Sequence, residues 1–193
     1  AGVMFTMDTE SGFQDVTFIT AAYGLGETVV QGAVNPDEFY VHKSTLEKNR
    51  PAIIRRTLGS KQSKMIYTGS AEPGFSVKTI DVDITDRSRF CINDAEVQTL
   101  ARQAGIIERY YGKPMDIEWA KDGIDGQLYI VQARPETVQS LQDGRQMERF
   151  VLKQKSRVLV KGRAIGQKIG CGSVCLVKDI AQMEAVESGN VLV

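Results

Sequence analysis

The chain lacks the features that mark several common classes of protein. Its 193 residues include 24 basic and 24 acidic side chains, so the formal net charge is zero. A neutral chain does not offer the basic surface that binds nucleic acids or anionic membranes. No apolar run approaches the roughly 20 residues of a membrane-spanning helix, and the first residues are not arranged as a signal peptide. We therefore expect a globular protein of the cytoplasm, without nucleic-acid or membrane partners.

Cysteine and histidine are also scarce. Cys91, Cys171 and Cys175 do not form a disulfide framework, and a Cys-x-x-x-Cys pair without nearby histidines is a poor metal site. We expect three free thiols in a reducing compartment. The single histidine, His42, lies in the aromatic-rich segment 39–43 and is expected to be structural or at the surface.

Two segments in the second half of the chain alternate like β-strands. They are residues 115–120 and 127–134, and the turn-forming residues 121–126 separate them, so the sequence predicts a β-hairpin. On the first strand, Ile117 and Trp119 share one face and supply an apolar surface. The opposite face of this strand carries charge.

Four polar side chains are expected to share the charged face of the hairpin. Asp116 and Glu118 lie on one side of the first strand, and Gln132 and Arg134 lie on one side of the second. A register with Asp116 opposite Gln132, for example, would bring all four together. Carboxylate oxygens suit Mg²⁺, and the planar arginine fork suits phosphate. The pattern therefore indicates a site for a metal-bound polyphosphate.

An ordinary solvated sheet surface has the same pattern, so this alternative stays open. One further feature favours a cleft. Gln132 and Arg134 continue a row that begins with the apolar Leu128 and Ile130. This strand face is therefore expected to change from apolar to polar, as at the rim of a cleft.

Local signals outline the rest of the chain. Residues 1–57 predict strands and turns, and residues 58–90 predict a partly mobile surface segment. Apolar residues at helical spacing predict a helix over 94–111, with Asn93 or Asp94 as its N-cap. A helix followed directly by a hairpin is typical of an α+β domain.

Five longer motifs are distributed along the chain. They are residues 2–6 with Ser11 and Gly12, residues 22–39, residues 115–123, residues 128–137 and residues 162–166. Together they closely resemble the phosphoenolpyruvate synthase family (pyruvate, water dikinases). The resemblance extends essentially from end to end, and motifs of this length are far more specific than a single glycine loop.

The resemblance implies an α+β fold with two domains. Residues 1–138 would form the C-terminal part of an ATP-grasp nucleotide-binding domain, and residues 139–148 would form a linker. Residues 149–193 would be the truncated start of a swivelling phosphohistidine domain. We expect an internal fragment that does not complete the reaction alone, with the remaining domains of the same chain as partners and a homodimer as one possible assembly.

The resemblance also implies a reaction and its residues. These enzymes convert ATP, pyruvate and water into AMP, phosphoenolpyruvate and phosphate through a phosphohistidine on the swivelling domain. Glu118 would be the principal Mg²⁺ carboxylate, and Gln132 would support it. Arg134 would neutralise the polyphosphate as the catalytic cation, and Asp116 would orient the nucleotide or support these side chains. Glu27, which follows a Gly-x-Gly turn, would lie near the metal.

Two alternative functions stay open. The segment could belong to a sibling enzyme, either pyruvate, phosphate dikinase or an antibiotic phosphotransferase, because other domains choose the acceptor. It could also be a non-catalytic module for docking between domains. Convergence of the four hairpin side chains on one open face would favour the catalytic assignment. His42 is not the phosphoryl carrier, because the glycine-rich carrier motif of the family does not surround it.

Overall fold

A six-stranded antiparallel sheet is the main feature of the computed structural model. The first eight strands are β1 Gly2–Phe5, β2 Val16–Ala21, β3 Asp37–His42, β4 Ile53–Thr57, β5 Ser63–Tyr67, β6 Val77–Asp81, β7 Met115–Lys121 and β8 Leu128–Pro135. The large sheet has the order β4-β3-β2-β1-β7-β8, and β5 pairs with β6 in a separate hairpin. The helices in the described part of the chain are α1 Glu27–Val30, α2 Lys43–Glu47, α3 Ile84–Arg87 and α4 Asp94–Tyr111.

The chain forms two compact units, residues 1–146 and residues 147–193. The structure describes residues 1–69, 76–137, 153–154, 157, 169–177, 183 and 186–193. In the second unit, β9 Ser173–Cys175 pairs in parallel with β10 Asn190–Leu192. The predicted linker over 139–148 and much of the predicted domain over 149–193 lie outside the described residues, so these two assignments stay predictions. No helix in the described part of the chain is long and apolar enough to cross a membrane.

The helix predicted over residues 94–111 is confirmed as α4. The side chain of Asn93 accepts a hydrogen bond from the backbone N–H of Glu96 at 3.0 Å, and the Glu96 carboxylate accepts one from the Asn93 N–H at 2.8 Å. This reciprocal capping box satisfies two donors at the helix start. The helix ends at Tyr111, and the following Gly112 has a φ of +65°, the left-handed conformation that favours glycine.

The core lies between α4 and one face of the large sheet. Its largest side chains, Trp119 and Phe39, are each 1% exposed, and full burial of a large apolar side chain contributes about 1.5–3 kcal/mol. The other central members include Met4, Ile19, Val41, Val97, Leu100, Ala101, Ala104 and Ile117. The predicted apolar face of the first hairpin strand is therefore confirmed. Because the core uses only one face of the sheet, the opposite face is left for a site.

Residues 58–90 contain more regular structure than their sequence signals indicate. β5 and β6 form an antiparallel hairpin with Ser63 opposite Asp81, and α3 follows it. Within the first unit, the hairpin is joined to the turn before α1 by the backbone N–H of Leu25, which donates to the carbonyl oxygen of Met65 at 2.9 Å. The predicted surface segment is thus built partly from paired strands and a short helix.

One ion pair, between Asp37 and Lys61, is completely buried beside the sheet. Asp37 begins β3, and its carboxylate also accepts hydrogen bonds from the backbone N–H groups of Gly59 and Cys91, both at 2.9 Å. The Lys61 Nζ atom donates to the carbonyl oxygens of Gly59 at 3.0 Å and Arg87 at 3.4 Å. These contacts join β3 to the β4–β5 connection and to the segment that precedes α4.

Candidate functional site

The β7–β8 hairpin brings the four predicted polar side chains to one face of the sheet. Asp116 lies opposite Arg134, and Glu118 lies opposite Gln132. Residues directly opposite each other in an antiparallel pair have side chains on the same face. The predicted hairpin is therefore confirmed, whereas the register taken as an example, with Asp116 opposite Gln132, is wrong by two residues.

A β-bulge lies immediately beside these pairs. Trp119 pairs with Ile130 while Glu118 pairs with Gln132, so Val131 is an extra residue in β8. An extra residue in one strand leaves two residues facing a single partner and locally bends that strand. The bulge thus lies between the start of β8, which contains Ile130, and its polar end, which contains Gln132.

The bulge overturns the row of side chains predicted for β8. Ile130 shares a face with the buried Trp119, whereas Gln132 and Arg134 lie on the opposite face. Leu128 also lies on the core side and packs against the core. The predicted continuous row from Leu128 and Ile130 to Gln132 and Arg134 is therefore wrong, because the extra residue reverses the alternation between the two faces.

Asp116 and Arg134 form an ion pair across the hairpin. The Nε and Nη2 atoms of Arg134 lie 2.8 and 2.7 Å from the same carboxylate oxygen of Asp116, Oδ2. The side chain of Asp116 is 12% exposed and that of Arg134 is 64% exposed, so the guanidinium is accessible from solvent. The hydrogen bond from Arg134 and the charge of Asp116 raise the pKa of Arg134 above its usual value. Arg134 is therefore a permanent cation.

Glu118 and Gln132 form the neighbouring pair. Glu118 is half-buried and Gln132 is exposed. Within the described part of the chain, neither side chain makes a hydrogen bond. A carboxylate oxygen and an amide oxygen therefore lie on one face, both available to a ligand.

The side chains of Glu118 and Gln132 suit a metal cation that is also coordinated by a ligand. In the described residues, no group of three or more His, Cys, Asp or Glu side chains could hold a metal ion. Arg134 engages Asp116, which leaves Glu118 and Gln132 as the two available protein groups. Mg²⁺ usually takes one or two protein carboxylates and completes its coordination with water and phosphate oxygens. The pair thus suits Mg²⁺ bound together with a polyphosphate.

An aromatic strip continues from the polar pairs across the same face of the sheet. Phe5 lies opposite Asp116, Phe18 opposite Phe5, and Tyr40 opposite Phe18. The Phe5 and Phe18 ring centroids are 6.3 Å apart, and those of Phe18 and Tyr40 are 4.8 Å apart. Arg55 lies over the Tyr40 ring at 5.4 Å. The candidate site therefore has an apolar flank on its β1 side, which sequence reasoning missed because β1, β2 and β3 are far from the hairpin in the chain.

A cleft of about 880 Å³ lies at the end of the sheet where β7 ends and β8 begins. Its lining includes Gly24 and Leu25 from the turn before α1, and Ala120 and Tyr129 from the hairpin. Ala120 and Tyr129 lie opposite each other, on the same face as Glu118. The lining does not include Asp116, Glu118, Gln132 or Arg134, so this cleft lies beyond the polar pairs, at the turn end of the hairpin.

Glu27 lies on a different element from the four hairpin residues. It is the exposed first residue of α1, and its Oε1 atom accepts a hydrogen bond from Gln31 Nε2 at 2.9 Å. The preceding Gly24 has a φ of +78°, and a Cβ atom there would lie 2.3 Å from the carbonyl oxygen of Met65. Gly24 is therefore explained by the close approach of β5. The proximity of Glu27 to a metal stays a prediction.

The remaining sequence-based assignments concern single residues. All three cysteines are free thiols, as predicted. Cys91 is distinctive because burial and the neighbouring Asp37 raise its pKa to about 12. The Nδ1 atom of His42 lies 2.7 Å from Thr45 Oγ1, a local contact that fits the structural role expected for this histidine.

The sequence places the chain in a class of nucleotide-binding domains. Residues 1–155 match the family described as the pyruvate phosphate dikinase AMP/ATP-binding domain. This match covers most of the chain, which therefore belongs to that family.

Several curated relatives are similar over the whole chain. It is 68% identical to phosphoenolpyruvate synthase of Pseudomonas aeruginosa (strain UCBPP-PA14) and 58% identical to that of Escherichia coli (strain K12), and in both cases it covers 24% of the relative. It is 34% identical to the probable phosphoenolpyruvate synthase of Methanocaldococcus jannaschii, of which it covers 15%. The resemblance to phosphoenolpyruvate synthases is therefore confirmed. The chain spans about a quarter of the length of its bacterial relatives.

Proposed function

We propose that this chain supplies the Mg²⁺–ATP phosphate site of a phosphoenolpyruvate synthase. The whole enzyme would convert ATP, pyruvate and water into AMP, phosphoenolpyruvate and phosphate, through a phosphohistidine carried elsewhere in the longer protein. One observation carries the proposal: Glu118 and Gln132 lie directly opposite each other beside the Asp116–Arg134 ion pair, on an open sheet face of an AMP/ATP-binding family member. The first unit would be part of an ATP-grasp domain, and the second would begin the swivelling domain.

Glu118 is the residue best suited to bind the metal. Asp116 is already neutralised by Arg134, whereas Glu118 has no cation bound to it through a hydrogen bond among the described residues. Gln132 adds a neutral oxygen from the facing strand. When bound, Mg²⁺ supplies positive charge that offsets the negative charge developing on the phosphoryl group.

Arg134 is placed to bind the polyphosphate. Its guanidinium is largely exposed although it is held by Asp116, so its remaining donors are accessible to a phosphate oxygen. The planar fork can form two parallel hydrogen bonds to one phosphate. Asp116 holds this fork beside the Glu118–Gln132 pair. Because Arg134 is already held in one orientation, it loses less conformational freedom when the nucleotide binds. We retain Glu27 as a second acidic group near the metal, supported by the family match, which includes Glu27 and the turn before it.

The names of the relatives favour a synthase over its siblings. The three relatives described above are called phosphoenolpyruvate synthase or probable phosphoenolpyruvate synthase. In such an enzyme, this segment would prepare the phosphoryl group, and other domains would present pyruvate.

The proposal can be tested on a full-length protein that carries this segment. Incubation with Mg²⁺, ATP and pyruvate should produce AMP, phosphoenolpyruvate and phosphate, identified by phosphorus NMR. Formation of ADP without phosphoenolpyruvate would contradict the proposed reaction.

Removal of the Glu118 charge tests the site itself. Glu118→Gln should strongly reduce phosphorylation of the protein by Mg²⁺ and ATP in the absence of pyruvate, while the melting temperature stays close to that of the parent. Glu47→Gln is a suitable control, because Glu47 is an exposed residue of α2 whose ion pair with Arg109 is also exposed. Unchanged phosphorylation in the Glu118 variant would remove this residue from the proposed role.

A further inference from the structure

The bulge in β8 is adjacent to the candidate site. Ile130 pairs with Trp119, Gln132 pairs with Glu118, and Val131 is the extra residue between them. The Val131 side chain is 64% exposed. Packing of this side chain in the core therefore does not explain why the strand contains an additional residue.

The extra residue is not needed to choose the face on which the polar side chains lie. Without Val131, Gln132 would directly follow Ile130, and regular alternation would still place Ile130 on the core face and Gln132 on the face of Glu118. What a bulge does change is local twist and bend, which alter the direction of the side chains that follow. In β8 these side chains are Gln132 and Arg134.

We propose that Val131 is a positioning residue of the candidate site, whose bulge sets the direction in which Gln132 and Arg134 meet Glu118 and Asp116. This inference rests on the proposed Mg²⁺–ATP site. The backbone of the additional residue performs this role, and the valine side chain does not.

Protection of a sheet edge is the competing explanation, and the chain offers a control for it. Bulges are one of the ways in which proteins prevent edge strands from pairing with other chains. β4, at the opposite edge, also contains a bulge: Tyr40 pairs with Arg55 and Val41 pairs with Ile53, which makes Ile54 the extra residue. Ile54 is 62% exposed, nearly the same as Val131. The two bulges are therefore comparable as edge features, but only one adjoins the polar pairs.

The experiment measures Mg²⁺-dependent binding of a non-hydrolysable ATP analogue to the full-length protein by calorimetry, together with the melting temperature. Deletion of Val131 should weaken binding by about 10- to 100-fold, the scale of loss expected when one hydrogen bond to a charged group is no longer made. Val131→Ala, which keeps the extra residue, should bind like the parent. Deletion of Ile54 should also leave binding unchanged.

Glu118→Gln separates failure of this inference from failure of the proposed function. If Glu118→Gln loses Mg²⁺-dependent binding while the Val131 deletion binds like the parent, the inference is wrong and the proposed site stands. If Glu118→Gln itself binds like the parent, the proposed site is wrong. Equal losses in the Val131 and Ile54 deletions would also overturn the inference, because a positional effect must be confined to the bulge beside the site.

A second variant is used if the simple deletion does not fold. It lacks Val131 but has an alanine inserted after Gln127, which restores the chain length and moves the extra residue into the turn. This variant should show the same loss of binding as the deletion. Binding equal to that of the parent would overturn the inference.

Discussion

Lys61→Met should strongly destabilise the first unit. Lys61 and Asp37 form an ion pair in which neither side chain is exposed. After the substitution, the Asp37 carboxylate would keep hydrogen bonds from the backbone N–H groups of Gly59 and Cys91, but its charge would have no compensating cation. Truncating one partner of a buried pair costs about 3–5 kcal/mol, because an isolated charge in the protein interior is poorly solvated.

This free energy corresponds to a large change in melting temperature. For domains of roughly 150 residues, 1 kcal/mol shifts the midpoint by about 2–4 °C. Multiplying the lost free energy by this shift gives a decrease on the order of 10 °C in the melting temperature of the first unit. Differential scanning calorimetry of the full-length protein can measure it.

Two further variants make the reasoning refutable. Lys78→Met removes an exposed lysine from β6 and should change the midpoint very little. The double variant Asp37→Asn with Lys61→Met removes both charges and keeps one oxygen that can accept from the backbone N–H groups of Gly59 and Cys91, so it should recover part of the lost stability. If Lys61→Met melts at the same temperature as Lys78→Met, the buried pair does not stabilise the fold as argued.

Two other predictions follow from shifted pKa values. Burial alone would raise the pKa of Glu96, but hydrogen bonds from Lys121 and from the Asn93 N–H keep it below the ordinary value of 4.5. The stabilisation from Glu96 is therefore fully present above about pH 4.5 and is lost as the pH falls through the lowered folded-state pKa. Urea denaturation should show a steeper loss of stability below this pH for the parent than for Glu96→Gln, and equal slopes would contradict the assignment. Burial also raises the pKa of Cys91 to about 12, so at about pH 8 it should react with iodoacetamide much more slowly than the exposed Cys171. Comparable alkylation rates, measured by mass spectrometry of the two peptides, would show that Cys91 is accessible.

Those parts of the fold that depend on local signals are predictable from the sequence. The bounds of α4 follow from Asn93 at its start and Gly112 after its end, because both residues satisfy backbone groups within one turn of the helix. The β7–β8 hairpin is predictable for the same reason, since its alternation and its turn residues are close in sequence. The local pattern also places Asp116 with Glu118 on one face of β7, and Gln132 with Arg134 on one face of β8, but the convergence of the two pairs depends on the register between the strands.

Features that depend on distant pairing are not predictable in this way. The bulge cannot be recognised in the sequence because the regular alternation of β8 continues through it. The spacing of two predicts one continuous row of side chains, formed by Leu128, Ile130, Gln132 and Arg134. Only the register against β7 shows that Val131 interrupts this row. The contact between Leu25 and Met65 is likewise invisible in a single sequence, because it depends on how β5 packs against a turn far from it in the chain.

The strand order has a consequence for the way in which the first unit folds. β1, β2, β3 and β4 pair with their nearest neighbours in the chain, but the other edge of β1 pairs with β7, with Gly2 opposite Trp119. Contacts between distant residues form slowly because a long loop must close first. During synthesis from the N-terminus, the four strands β1 to β4 can assemble while β1 still has an open edge. The strands that carry the polar pairs complete the sheet last, and until then that edge is exposed to incorrect pairing.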